Sequence, residues 1–356
     1  MDIENLLRFA RENRASDVHL ITDSPPLLRI DGALRAVESN NVLRADSINQ
    51  AFEKVTTTKQ RDIFNENFEL DFAYFLSGVG HLRCNACLQQ GSISLAFRLL
   101  SPQIPTIDEL GLPQICKDWI RRPRGLIVVT GPTGSGKSTT LASMLQHLND
   151  TERRYVVTIE DPVEYRHLNN MCAFSQRELG EDTLSFANAL KYVLRQDPDV
   201  ILVGEMRDLE TVATVLTVAE TGHLILSTGH APSAAQSVDR IVDLFPPHER
   251  PSAQARLASV LLGVLSQALV PRIDSGRVAA VEIMIANAPI KNLIREGKTH
   301  LLPNTIRTHG QSGMQTLDMA LVELYRARSI SWDTALAYSQ DPVELEKLSR
   351  EMGIRA

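Results

Sequence analysis

Apolar positions along this chain change period near residue 116. Before that point they fall mostly in short alternating runs. "DIENLLRFARENR" carries a helical stripe and predicts a first helix over Asp2 to Arg14. "SDVHLIT" alternates as a strand does. "PPLLRIDGALRAV" reads as two short strands around Asp31-Gly32, a pair suited to the positive φ angles of a tight hairpin. "LDFAYFL" and "SISLAFRLL" are strand-like as well. Residues 1–100 therefore predict a small α+β domain. The following "SPQIPTIDELGLP" carries three prolines, so residues 101–115 read as a linker and a hinge.

From Cys116 onward, apolar strand-like runs alternate with helical segments: "GLIVVTG", "RYVVTIEDP", "DVILVGE" and "HLILSTG" are each followed by a helical stretch. That alternation predicts an α/β domain over 116–356, with a parallel-strand core and helices on its faces. "LASVLLGVLSQALV", Leu257 to Val270, predicts a buried helix. It is too short to span a bilayer and is broken by Ser259, Gly263, Ser266 and Gln267. The last 80 residues read as mainly helical, and no internal repeat stands out.

Composition narrows this picture only slightly. With 43% apolar and 22% charged residues, the 356-residue chain has the proportions of a globular protein with a core. The net charge of -6 and 5% aromatic content argue against nucleic acid as a partner. The N-terminus lacks a basic stretch followed by an apolar one, which predicts a cytoplasmic protein. Four cysteines, with one C-x-x-C at Cys84 and Cys87, fall short of a zinc site and read as reduced thiols.

The strongest chemical signal is "GPTGSGKSTT". Gly131, Pro132, Thr133, Gly134, Ser135, Gly136, Lys137 and Ser138 fit the phosphate-binding pattern G-x-x-x-x-G-K-[ST] throughout, with Thr139 next in the helix. The strand before it and the helix after it are the context the motif needs. Glycines let backbone N–H groups close around phosphate oxygens, and the helix N-terminus adds partial positive charge. Lys137 then reaches the β- and γ-phosphates of ATP, while Ser138 holds Mg²⁺. Glu205 ends the apolar strand "DVILVGE", at the edge where open parallel sheets bind ligands. It is placed to orient the attacking water or the metal's waters. "VVTIEDPVEY" adds Glu160, Asp161 and Glu164 at the same edge, since Pro162 stops the strand. One of those acids is a candidate base.

"GHLILSTGH" carries two histidines, His223 and His230. At about 3.3 Å per residue an extended run separates them by roughly 20 Å, too far to share a metal ion. His230 falls at the phosphate edge and His223 at the far end. A histidine near the γ-phosphate can report its presence or stabilise its charge.

Four blocks in this order, "GPTGSGKSTT", "TIEDPVEY", "RQDPDVILVGEMRD" and "AETGHLILSTGHAPSAAQSVDRIVDLF", resemble the secretion-type hexameric ATPases. "ASDVHL" and "PPLLRIDGALR" resemble that family's N-terminal domain. "APIKNLIREGKTH" and "GMQTLDMAL" resemble the C-terminal motifs of its PilT-type type IV pilus retraction branch. The resemblance implies a PAS-like domain followed by a RecA-like ATPase domain. It also implies a homohexamer in the cytoplasm, at the inner face of the inner membrane. Such a ring would act on a membrane platform protein and, through it, on the pilus base. It implies that Lys137 and Ser138 hold phosphate and metal, that Glu205 and Glu164 do the acid work, and that His223 and His230 read the nucleotide's state. The family's N-terminal domain supplies arginines to the nucleotide, and Arg83 remains in "GHLRCNACLQQG"; Arg98, Arg207 and Arg240 are further candidates. Three departures stand out. In that N-terminal stretch His81, Leu88 and Gln90 stand where arginines are expected. Gly229 replaces the usual Leu, which predicts a looser backbone under His230, and Lys291 replaces an Arg.

Two other readings stay open. An accessory PilU-like ATPase would need a second pilus ATPase as its partner motor. A RecA-like DNA translocase would share the fold, and salt-dependent DNA binding would reveal it.

Overall fold

The computed structural model describes residues 2–30, 32–37, 42–100 and 103–352. Asp31 of the expected hairpin turn, and the first two residues of the expected linker, lie outside that set. The chain divides into two compact units, 1–103 together with 164–166, and 104–163 together with 167–356. Among the described residues no helix is long and apolar enough to cross a membrane.

The first unit is built on six strands: β1 (Asp17–Leu20), β2 (Leu27–Ile30), β3 (Ala33–Ala36), β4 (Glu69–Leu76), β5 (Gly80–Gln89) and β6 (Ser92–Leu99). They form an antiparallel sheet in the order β3-β2-β1-β6-β5-β4. The first helix, Ile3–Glu12, is capped by Asp2, whose carboxylate accepts the Glu4 N–H. Helices Ala45–Val55 and Thr58–Asn67 join it. Leu7, Ile48, Phe52, Leu82, Leu95 and Phe97 form part of their shared core.

The second unit has seven strands: β7 (Gly125–Thr130), β8 (Tyr155–Glu160), β9 (Ala173–Glu178), β10 (Val200–Val203), β11 (Leu224–Thr228), β12 (Leu261–Pro271) and β13 (Arg277–Ile285). Their order is β13-β12-β7-β11-β10-β8-β9, and all are parallel except the edge strand β13. β7, β10 and β11 are buried along their whole length, as the centre of a sheet covered on both faces must be. Helix Lys137–Thr151 packs on one face through Leu141, Met144, Leu145 and Leu148. Helices Phe186–Val193, Leu209–Glu220, Ala234–Asp243 and Arg250–Val260 bury their apolar sides on the other. Ile107, Leu112 and Cys116 are buried beside Trp119 in the core of this unit.

One expected element is corrected. "LASVLLGVLSQALV" is not a helix: a helix ends at Val260 and β12 begins at Leu261. A continuous apolar run suits either state, and tertiary context decides it. Here the run lies between β7 and β13. Gly263 lets it pass the Trp119 ring, where a Cβ would come within 2.2 Å of Cζ2. The last 80 residues, expected to be mainly helical, open instead with β13, and the described chain after it is helical.

Candidate nucleotide-binding edge

Parallel strands bring their C-terminal ends to one edge, so the second unit gathers its chemistry there. β7 ends in the loop 131–136, and the helix starting at Lys137 follows directly. Gly131 has φ +141° and Gly136 φ +89°, backbone that L side chains rarely adopt. A Cβ at Gly131 would meet the Gln267 carbonyl oxygen at 2.3 Å. The loop is therefore seated on β12. Gln267 is 4% exposed and accepts from Thr140 Oγ1 at 2.8 Å. It supports the loop from beneath, a role the sequence did not signal.

The Lys137 ammonium curls back to donate to the Gly131 and Pro132 carbonyls at 2.9 and 3.0 Å. Ser135 Oγ is buried and has no hydrogen-bond partner among the described residues. An orphaned hydroxyl inside a loop where a Cβ at Gly131 or Gly136 would clash is what an anion with several acceptor oxygens would satisfy. Ser138 and Thr139 open the helix and are half-buried.

Next to β7 lies β11, then β10, then β8. Glu205 and His230 meet just beyond β10 and β11, with His230 Nε2 3.4 Å from Glu205 Oε2. Glu205 is 12% exposed and also pairs through Oε1 with Arg207. The backbone around this pair is tied down. Thr228 Oγ1 donates to the Gly204 carbonyl, and Arg240 donates to the His230 carbonyl at 2.8 Å. Thr130 Oγ1 donates to the Ala231 carbonyl at 2.8 Å and accepts the Ala231 N–H at 2.9 Å. Gly229 N–H bonds the Val129 carbonyl at 3.0 Å. Neighbouring strands hold this backbone at Gly229, where a Cβ would come within 3.1 Å of Thr130 Oγ1.

Glu160 closes β8 at the same edge and accepts from Gln176 Nε2 at 3.4 Å. The peptide Asp161-Pro162 is cis, and Val163 N–H donates to Glu178 Oε2 at 3.0 Å. Burial pushes the Glu178 carboxyl above its ordinary range. Glu164 belongs with the first unit, where it pairs with Arg83 at 3.2 Å. Arg98 pairs with Asp17 at 2.9 Å.

His223 lies at the opposite edge. Its carbonyl accepts the N–H of Gly125, the first residue of β7, at 3.0 Å. Its Nδ1 lies 3.0 Å from Thr221 Oγ1 and 3.3 Å from the Val218 carbonyl. The edge therefore brings together Glu160, Glu205, His230 and the phosphate loop, and leaves His223 outside. Among the described residues no group of three or more His, Cys, Asp or Glu side chains is arranged to hold a metal. All four cysteines are free.

Comparison with known proteins agrees with this geometry. A family described as "Type II/IV secretion system protein" matches residues 1–315. The type IV pilus retraction ATPase PilT of Pseudomonas aeruginosa is 45% identical over 342 residues, covering 96% of this chain and 99% of its own. The type IV pilus ATPase PilU of the same organism is 37% identical, covering 97% of this chain and 90% of its own. A crystal structure of the pilus retraction motor PilT with bound ADP superposes with a TM-score of 0.91 at 43% identity, over 98% of this chain and 99% of that one. The chain belongs to the type II/IV secretion system protein family and, within it, to the PilT-type ATPases.

Proposed function

We propose that the chain hydrolyses ATP as a hexameric motor and converts the turnover into retraction of a type IV pilus. The meeting of Glu205 and His230 beside the phosphate loop carries this reading. The loop 131–136 and Lys137 would take the phosphates, with Ser135 Oγ as a further donor. Ser138 would hold Mg²⁺, helped by Glu205 through water. When bound, the metal would supply neutralisation of phosphate charge.

The chain's own residues do the rest. Glu205, whose side chain is 12% exposed, orients the attacking water. His230 touches the same carboxylate and senses what the carboxylate faces. Glu160 adds a second acid at the edge. Arg83 and Glu164 pair with each other in the first unit. His223 stands too far along β11 to share that site and acts elsewhere, at a subunit boundary. The platform protein at the inner membrane and the pilus base are the partners this reading requires.

Steady-state ATP turnover of the purified chain tests it, with Glu205→Gln as the blank. Turnover well above the blank, and pili that extend but do not retract when the gene is deleted, are the expected results. Bound ATP with turnover no higher than the blank would instead favour the accessory reading, which the 37% identity to PilU over nearly the whole chain keeps in view.

A further inference from the structure

Away from the nucleotide edge, the second unit buries two carboxylates that the proposed hydrolysis does not use. Glu282 on β13 is 4% exposed, and Asp318 on helix Leu317–Arg326 is 5% exposed. Both border a cavity of about 590 Å³. Buried carboxylates are costly unless their oxygens are used as acceptors. Both are used, and on main-chain donors.

Glu282 Oε1 accepts the N–H of Ala234 at 2.7 Å, at the first turn of helix Ala234–Asp243. Asp318 gathers the turn between the last two helices. Its Oδ1 accepts from Ser339 Oγ at 2.7 Å and Gln340 N–H at 3.0 Å, and its Oδ2 accepts from Asp341 N–H at 3.2 Å. Held in this way, Gln340 donates its side-chain amide to the Pro232 carbonyl at 2.9 Å. Ser266 Oγ of β12 donates to the same carbonyl at 2.9 Å.

Pro232 and Ala234 belong to the segment 231–234, which links His230 to its following helix and ends on that helix's first residue, Ala234. Thr130 holds Ala231 from the other side, and Arg240 holds the His230 carbonyl. The imidazole contact to Glu205, at 3.4 Å, lies near the limit of a hydrogen bond, so a small shift of the link would break it.

We propose that Glu282 and Asp318 are positioning residues for the His230–Glu205 pair: through Ala234 and Gln340 they clamp the link 231–234 and fix where the His230 imidazole sits. The catalytic consequence rests on the hydrolytic reading above; the positional one does not.

The test uses the full-length chain with Glu282→Ala, Glu282→Gln, Asp318→Ala and Gln340→Ala. Gln340 is exposed, so its truncation leaves the core intact. Two quantities are read: kcat and KM for ATP, and the imidazole signals of His230 and His223 in histidine-labelled protein. Glu282→Ala and Gln340→Ala are expected to lower kcat by about 5- to 50-fold, the scale of a sub-ångström to ångström misplacement, with KM within about 2-fold. Glu282→Gln keeps an acceptor for Ala234 and restores kcat. The His230 signal moves in the alanine variants while the His223 signal stays.

Wild-type kcat in both Gln340→Ala and Glu282→Ala would overturn the proposal. So would an unmoved His230 signal, or a rise in KM that matches the fall in kcat. If the wild-type chain itself shows no turnover above Glu205→Gln, the hydrolytic reading fails. The histidine signals then still decide the positional claim.

Discussion

Replacing Glu282 by glutamine keeps the shape of the side chain and its acceptor for Ala234 but removes its proton. Burial, with Asp318 nearby, pushes the Glu282 carboxyl up from its ordinary 4.5 to about 7. The folded chain therefore holds this proton more tightly than the unfolded chain does. As pH rises from about 4.5 to 7 the unfolded state releases it first, so stability falls through that window and stays lower above it. A displacement of about 2.5 pH units at 1.36 kcal/mol each corresponds to about 3 kcal/mol, of which about 2.5 kcal/mol falls between pH 5 and 8. Glu282→Gln lacks this term. The other groups around the same cavity, including Asp239, His300, Arg307, Asp318, Asp341 and Glu344, are common to both proteins and largely cancel in the difference. Equilibrium urea unfolding followed by tryptophan fluorescence reads the right part of the molecule, because both tryptophans, Trp119 and Trp332, lie in the second unit. Relative to wild type, Glu282→Gln should gain about 2.5 kcal/mol between pH 5 and pH 8. A difference constant to within about 0.5 kcal/mol across that range would refute the assignment of a buried, proton-holding carboxyl.

Three further outcomes follow from packing and burial. Gly263→Ala drives a Cβ to 2.2 Å from the Trp119 ring and 2.6 Å from the Met284 carbonyl, so a loss of about 3 kcal/mol or more is expected in the same urea assay. Gly131→Ala would push the phosphate loop off the Gln267 carbonyl, and a fluorescent ATP analogue should bind more than about 10-fold more weakly while the melting temperature of the first unit is unchanged. His167 is buried against Phe174, and burial pulls its imidazole down from 6.5 to about 4. The unfolded chain takes up the proton first as pH falls, so stability is lost below pH 6.5; His167→Phe should abolish up to about 3 kcal/mol of that acid-side loss.

How much of this was legible beforehand depends on how local each feature is. The phosphate motif, 131–138, is eight contiguous residues, and β7, β10 and β11 are mostly apolar runs, so sequence alone located them. β9 was missed because it is an edge strand, "AFSQRE", with no buried position to mark it. β12 was misread because its apolar run has no period, and only its neighbours make it a strand. The helix 45–55 has buried residues at Ile48, Ala51, Phe52 and Val55, a spacing that would have revealed it. The supporting residues of the site are different. Thr130 meets Ala231 across 101 positions and Thr140 meets Gln267 across 127, and no local pattern encodes such pairings.

The paired histidines show what topology adds to a motif. Their spacing already excluded a shared ion; the sheet explains why they also cannot share a task within one chain. β11 is hydrogen-bonded on both sides, to β7 from Leu224 to Thr228 and to β10 from Leu224 to Ser227. Sliding it to carry a signal from one end to the other would break two ladders at once, and a one-residue slip would turn its buried positions to the wrong faces. A change at His230 must therefore travel through side chains and the link that follows it, where Thr130, Ser266, Gln340 and Glu282 converge. His223, held by Thr221 and Val218 at the far edge, is insulated from that change. Any coupling between the two histidines then has to pass outside the strand, through whatever each one touches beyond its own sheet.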